Sequence, residues 1–220
     1  MDDLKKQVTL KTQNQIRILL TLNIAGSIGL LIWWFLFPVV LPIEDAAGNF
    51  QHLILDPDWT VLNLVGLASC LLLCLGLPGI FLAHYKHFKM LGFVGLLLAC
   101  TGLVLFTAIQ YYETLLWPAA AEVHPDMVRT QGVLVSGHTS VVMGLLVSGI
   151  ILGAGYILFG IASLRTEKYP SLPVWFLMLG AMVFGNGMLF PVRTIGLLFF
   201  SGGLIWISFR LRKYLSKNNI

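Results

Sequence analysis

The chain has 220 residues, of which 57% are hydrophobic and only 11% charged, and its mean hydropathy is +0.85. A soluble domain carries about 25% charged residues, so a water-soluble globular fold is excluded. The net charge of +4 does not point to nucleic acid: the Lys and Arg residues flank apolar runs, where they orient spans and meet anionic headgroups, and no stacking aromatic motif is set in a basic stripe.

A membrane-crossing helix needs about 20 mostly apolar residues to cover about 30 Å of hydrocarbon. Six such runs, joined by short loops, use nearly all of the chain and predict one transmembrane domain over residues 1–220. The first run, about 16–40, follows Lys5, Lys6, Lys11 and Arg17 and ends at Phe37-Pro38. Its apolar core exceeds the 7–15 residues usual for a cleaved signal peptide, and no small-x-small site follows it, so it is read as a retained span. The loop after it carries Glu44, Asp45, Asp56 and Asp58 and no basic residue.

The second run, about 60–83, stops at His84, Lys86, His87 and Lys89. The third, about 90–115, passes Gln110 towards Trp117-Pro118 and a loop with Glu122, His124, Asp126 and Arg129. The fourth, about 133–164, stops at Arg165, Glu167 and Lys168. The fifth, about 173–190, leads through a tight turn at Pro191-Val192-Arg193 to the sixth, about 194–209. Arg210, Arg212, Lys213 and Lys217 close the chain.

The gaps alternate in charge. Of the fourteen basic residues, only Arg129 and Arg193 fall outside the N-terminus, the second and fourth loops and the C-terminus. Lys and Arg are retained on the cytoplasmic side. The expected fold is therefore an all-α bundle of six transmembrane helices with both termini cytoplasmic, in the plasma membrane of a prokaryote. Each half then has three spans of opposite orientation, the parity seen in inverted-repeat transporters, although the halves share no clear sequence match.

Lipid tails are as apolar as Leu, so helices associate where small residues let backbones approach. Ser136, Ser140, Gly144 and Ser148 recur every four residues in the fourth run, and Gly92, Gly95, Ala99 and Gly102 form a stripe in the third. These are read as intramolecular packing positions, with a homo-oligomeric interface as the alternative.

A charge in hydrocarbon costs at least ~2.5 kcal/mol on insertion scales, so intramembrane ionisable residues mark candidate sites. The topology brings several to one outer level. Gln110, Glu113 and Trp117 share a face of the third helix, His138 opens the fourth, Asn186 lies near the end of the fifth and Arg193 precedes the sixth. The expected site is an outward-facing polar pocket in which Glu113 pairs with Arg193, and His138 relays protons or holds an anionic headgroup. The alternative is that each residue snorkels separately to water.

Ser136-Gly137-His138-Thr139 resembles the Pro-Ser-Gly-His motif of the six-span type 2 phosphatidic-acid phosphatases. The resemblance implies His138 as an acid and Ser136 as a phosphate ligand. It covers four residues: Val135 stands in place of the Pro, and no His follows His138 to serve as nucleophile. No catalytic residue is assigned. Cys70, Cys74 and Cys100 all lie within apolar runs and form no disulfide framework. A phosphate-cradling loop, a His-Glu-x-x-His helix and a Gly-x-Ser-x-Gly elbow are absent. No metal or cofactor is expected. The expected role is non-enzymatic: transport, a channel, or binding of a small molecule or membrane lipid. A lipid-acting enzyme using His138 and an accessory subunit are the alternatives.

Overall fold

A computed structural model describes residues 2–41, 51–83, 85–129, 131–135, 137–166, 169–186 and 190–217. Six helices carry the fold: α1 (Asp2–Val40), α2 (Pro57–Ala83), α3 (Met90–Val123), α4 (Thr139–Arg165), α5 (Ser171–Asn186) and α6 (Phe190–Lys217). No strand occurs among the described residues. In hydrocarbon every backbone polar group must be satisfied within the protein, which selects continuous helices for apolar runs of this length. All but α5 are long and apolar enough to cross a membrane, as in an integral membrane protein. The apolar α5 has 16 residues, or about 24 Å at 1.5 Å per residue.

Three boundaries differ from those read in the sequence, each for a local reason. Helix α4 starts at Thr139 rather than near 133, because residues 131–135 turn back on the preceding loop, with Leu134 N–H bonded to Met127 O at 3.0 Å. His138 is the N-cap of α4, its Nδ1 accepting from Ser140 N–H at 3.3 Å. Helix α6 starts at Phe190, so Arg193 lies in its first turn and not in a connecting turn. Pro191 fits there, since a first-turn residue has no intrahelical partner for an N–H. Helix α3 does not stop near 115 but runs on to Val123 through a wide turn at Tyr112–Leu116.

Each helix packs antiparallel on its chain neighbours, and α1 also packs on α6, closing a six-helix ring with both termini at one end. The end opposite the termini is the distal end. Close backbone approaches set the pairs. A Cβ on Gly76 of α2 would lie 2.5 Å from Asn23 N of α1, and one on Gly196 of α6 would lie 2.5 Å from Phe184 N of α5. In α3, a Cβ on Gly102 would lie 2.5 Å from Leu152 Cα of α4, Gly95 meets the Phe159 backbone, and Ala99 meets Gly155. Gly92 meets the Phe88 side chain.

The fourth-helix stripe divides. Ser148 is buried, Ser140 and Gly144 are exposed, and a Cβ on Gly144 would meet nothing within 4 Å. Ser136 lies outside the described residues. Thus α3 and α4 touch closely from Gly102 towards the terminal end and separate towards the distal end.

Aromatic rings fill the space between α3, α4, α5 and α6. Tyr156 meets Phe200 edge-on at 5.0 Å, Phe200 stacks on Phe184 at 5.8 Å, and Phe184 meets Phe106 at 5.1 Å.

Candidate functional site

The site begins with a proline. Pro118 has no N–H, and its ring crowds the carbonyl four residues earlier. The turn before it is wide: Trp117 N–H bonds to Tyr112 O, five residues back, where an ordinary α-helix would use Glu113 O. The displaced Glu113 carbonyl is not left bare, because Trp59 Nε1 of α2 donates to it at 3.0 Å. Trp59 also stacks on Trp117, with centroids 6.0 Å apart. The wide turn, Trp59 and Trp117 thus hold one another in place and fix the direction of Glu113.

Glu113 is partly buried, and its Oε2 accepts from Gln110 Nε2 at 3.1 Å. Gln110 is 1% exposed. Its Oε1 lies against Gly66, where a Cβ would approach to 2.7 Å, and has no hydrogen-bond partner among the described residues. Thr114 caps the turn by donating to Gln110 O at 2.5 Å.

Arg193 is held by three aromatic rings. Its guanidinium carbon lies 5.2 Å from the centroid of Trp34, 5.4 Å from Phe184 and 5.9 Å from Phe106. The π faces attract the cation, typically by about 0.5–2 kcal/mol per ring, which offsets its removal from water. Trp34 is fixed from below by a 2.8 Å hydrogen bond from its Nε1 to Thr194 Oγ1. Arg193 Nε is buried and has no hydrogen-bond partner among the described residues.

Two cavities meet at Glu113. The first, about 510 Å³, lies between the distal halves of α3 and α4 under the segment with Leu134 and Val135, and its wall includes Ala108, Tyr112, Trp117, Ser140 and Gly144. Ala108 and Gly144 are exposed on the outside of the ring, so this cavity is a cleft open to the side. The second, about 250 Å³, lies within the ring and is lined by Phe106, Phe184, Gly185 and Arg193 among others. Ile109, Glu113, Leu145 and Ser148 line both. Apart from Glu113, Arg193 and a few hydroxyls, the walls are apolar. Glu113 and Arg193 face one cavity, yet no ion pair within 4.0 Å joins them among the described residues.

The remaining sequence candidates fall elsewhere. His138 is exposed and caps α4, and it lines neither cavity. Asn186 ends α5, and its side chain is outside the described set. Arg129, the other basic residue outside the charge pattern, pairs with Asp126 at 2.9 Å on the surface. Among the described residues no three metal-binding side chains gather. Cys70, Cys74 and Cys100 are free thiols, with Cys74 Sγ 3.6 Å from Thr107 Oγ1. Sequence reasoning did not find the ring cage of Trp34, Phe106 and Phe184. The available signal was Trp34 itself, an indole N–H in an apolar run that needs an acceptor. No known protein family, curated protein or solved structure matches the chain.

Proposed function

We propose that the chain is a six-span plasma-membrane protein with both termini in the cytoplasm, and that it binds a membrane lipid in the cleft between α3 and α4. The acyl part lies along the apolar walls of the cleft, and the polar part reaches Glu113 and Arg193. The observation that carries this reading is the lateral opening of an apolar cleft that meets a charged interior cavity at Glu113. The depth agrees. Glu113 is 23 positions beyond Met90, or about 35 Å along the helix axis, so with Met90 at one face of a hydrocarbon layer of about 30 Å the carboxylate stands at headgroup level. Trp59 and Trp117 sit at the same level, as interfacial indoles do. Binding or passage of a lipid fits these walls better than catalysis, since the exposed His138 does not face the cleft.

Gly144→Trp tests the reading. Gly144 lines the cleft and nothing lies within 4 Å of a Cβ there, so the indole is attached in open space at the cleft wall. Native mass spectrometry of the protein released from detergent is expected to show retained lipid on the unmodified chain. The variant should retain roughly tenfold less, the ratio for about 1.4 kcal/mol of lost contact, with its thermal unfolding unchanged. Equal lipid retention by both proteins would overturn the assignment.

A further inference from the structure

We infer that the occupant of the cleft is a zwitterionic lipid, its cationic group on Glu113 and its anionic group on Arg193; this rests on the lipid-binding reading above. Three observations carry it. First, one cavity of about 250 Å³ holds one carboxylate and one guanidinium, so the site is formally neutral. Second, the two charges are not closed on each other, with no ion pair within 4.0 Å among the described residues. Third, each is held apart by its own scaffold. Glu113 is tied by Gln110 and, through its carbonyl, by Trp59. Arg193 is tied by the rings of Trp34, Phe106 and Phe184. These rings offer the guanidinium no oxygen or nitrogen acceptor, and Arg193 lines the cavity, so its N–H donors remain for an anion.

The energetics favour a dipolar bridge. Two opposite charges in an apolar cavity attract strongly, and a dipolar group placed between them satisfies both at once. A purely anionic headgroup would satisfy Arg193 but meet Glu113 with like charge. A purely cationic one would satisfy Glu113 and meet Arg193. Only a headgroup with both signs leaves neither buried charge unpaired.

The test uses full-length protein stripped of lipid and titrated with mixed micelles of one lipid at a time, read by native mass spectrometry. The probes are phosphatidylethanolamine, phosphatidylcholine and phosphatidylglycerol, matched in acyl chains. The unmodified protein should bind at least one zwitterionic lipid roughly tenfold more tightly than phosphatidylglycerol, and Glu113→Gln should reduce or reverse that ranking. Equal or tighter binding of phosphatidylglycerol by the unmodified protein would overturn the inference. Should Glu113→Gln fail to fold, the ranking on the unmodified protein decides alone. The Gly144→Trp chain separates the two levels. If it loses all three lipids while the unmodified protein ranks them equally, the cleft stands and the headgroup inference falls. If it binds all three as the unmodified protein does, the cleft reading itself falls.

Discussion

Gly102→Ala gives the sharpest test of the packing on which the cleft depends. The added methyl would lie 2.5 Å from Leu152 Cα and 2.6 Å from Leu152 N. Both atoms are backbone of α4, so no rotamer change relieves the clash. Ordinary contact begins at 3.4 Å, and α3 and α4 must therefore part locally by about 0.9 Å, the difference between 3.4 and 2.5 Å. Overpacking of this kind costs about 1–3 kcal/mol. The better helix propensity of Ala, up to about 1 kcal/mol in water, offsets little of that, because helices in a membrane form before the bundle assembles. At about 2–4 °C per kcal/mol for a chain of this size, thermal unfolding in detergent followed by Trp fluorescence should fall by roughly 2–12 °C. Gly144→Ala, on α4 and facing open space, should change stability by no more than about 0.5 kcal/mol. Equal midpoints for the two variants would refute the view that α3 and α4 are sealed at Gly102 and open at Gly144.

Two further outcomes follow from other parts of the bundle. Asn63 is 1% exposed, accepts from Trp33 Nε1 at 3.3 Å and donates to Trp59 O at 3.0 Å; Asn63→Leu strands the Trp33 N–H and should lower stability by about 1–3 kcal/mol in the same thermal assay, an unchanged midpoint counting against the bond. The topology is tested with one added cysteine at a time, at the exposed His138 or Lys213, with the unmodified protein and its three thiols as the background control: a membrane-impermeant maleimide should label His138→Cys above that background in intact cells and Lys213→Cys only after permeabilisation, and the reverse pattern would invert the orientation.

The helices were legible because a long apolar run has few alternatives once its backbone must be satisfied internally. Their ends were less so. Hydropathy continues through Val133, Leu134 and Val135, yet these residues fold back over the cleft, and the signal that outranked it was His138 capping the following turn. Charge exceptions proved the informative part of the pattern at Arg193, which lines a cavity with Glu113, whereas Arg129 only meets Asp126 on the surface. The aromatic cage was not legible. Trp34 and Arg193 are 159 positions apart and meet because α1 closes the ring against α6. Spacing within a run does not encode that closure. The wide turn near Glu113 was foreshadowed by Pro118, but its compensation by Trp59 required the pairing of α2 with α3.

The two charges are secured from the side of the ring away from the cleft. Trp59 of α2 fixes the Glu113 carbonyl, and Trp34 of α1 covers Arg193. These two helices are themselves drawn together by Gly76 and Gly26, whose missing side chains admit the facing backbone. Helix α4 does the opposite: at Ser140 and Gly144 it withdraws and leaves room. On the lipid reading, the duties therefore separate by helix. The α1–α2 pair determines which headgroup charges are accepted, through two tryptophans that never touch the cleft opening. The distal half of α4 determines how much acyl bulk enters. Substitutions at Trp34 or Trp59 should accordingly alter the ranking among headgroups, and substitutions at Gly144 should weaken all lipids together, because the first group moves the charges and the second fills the space beside them.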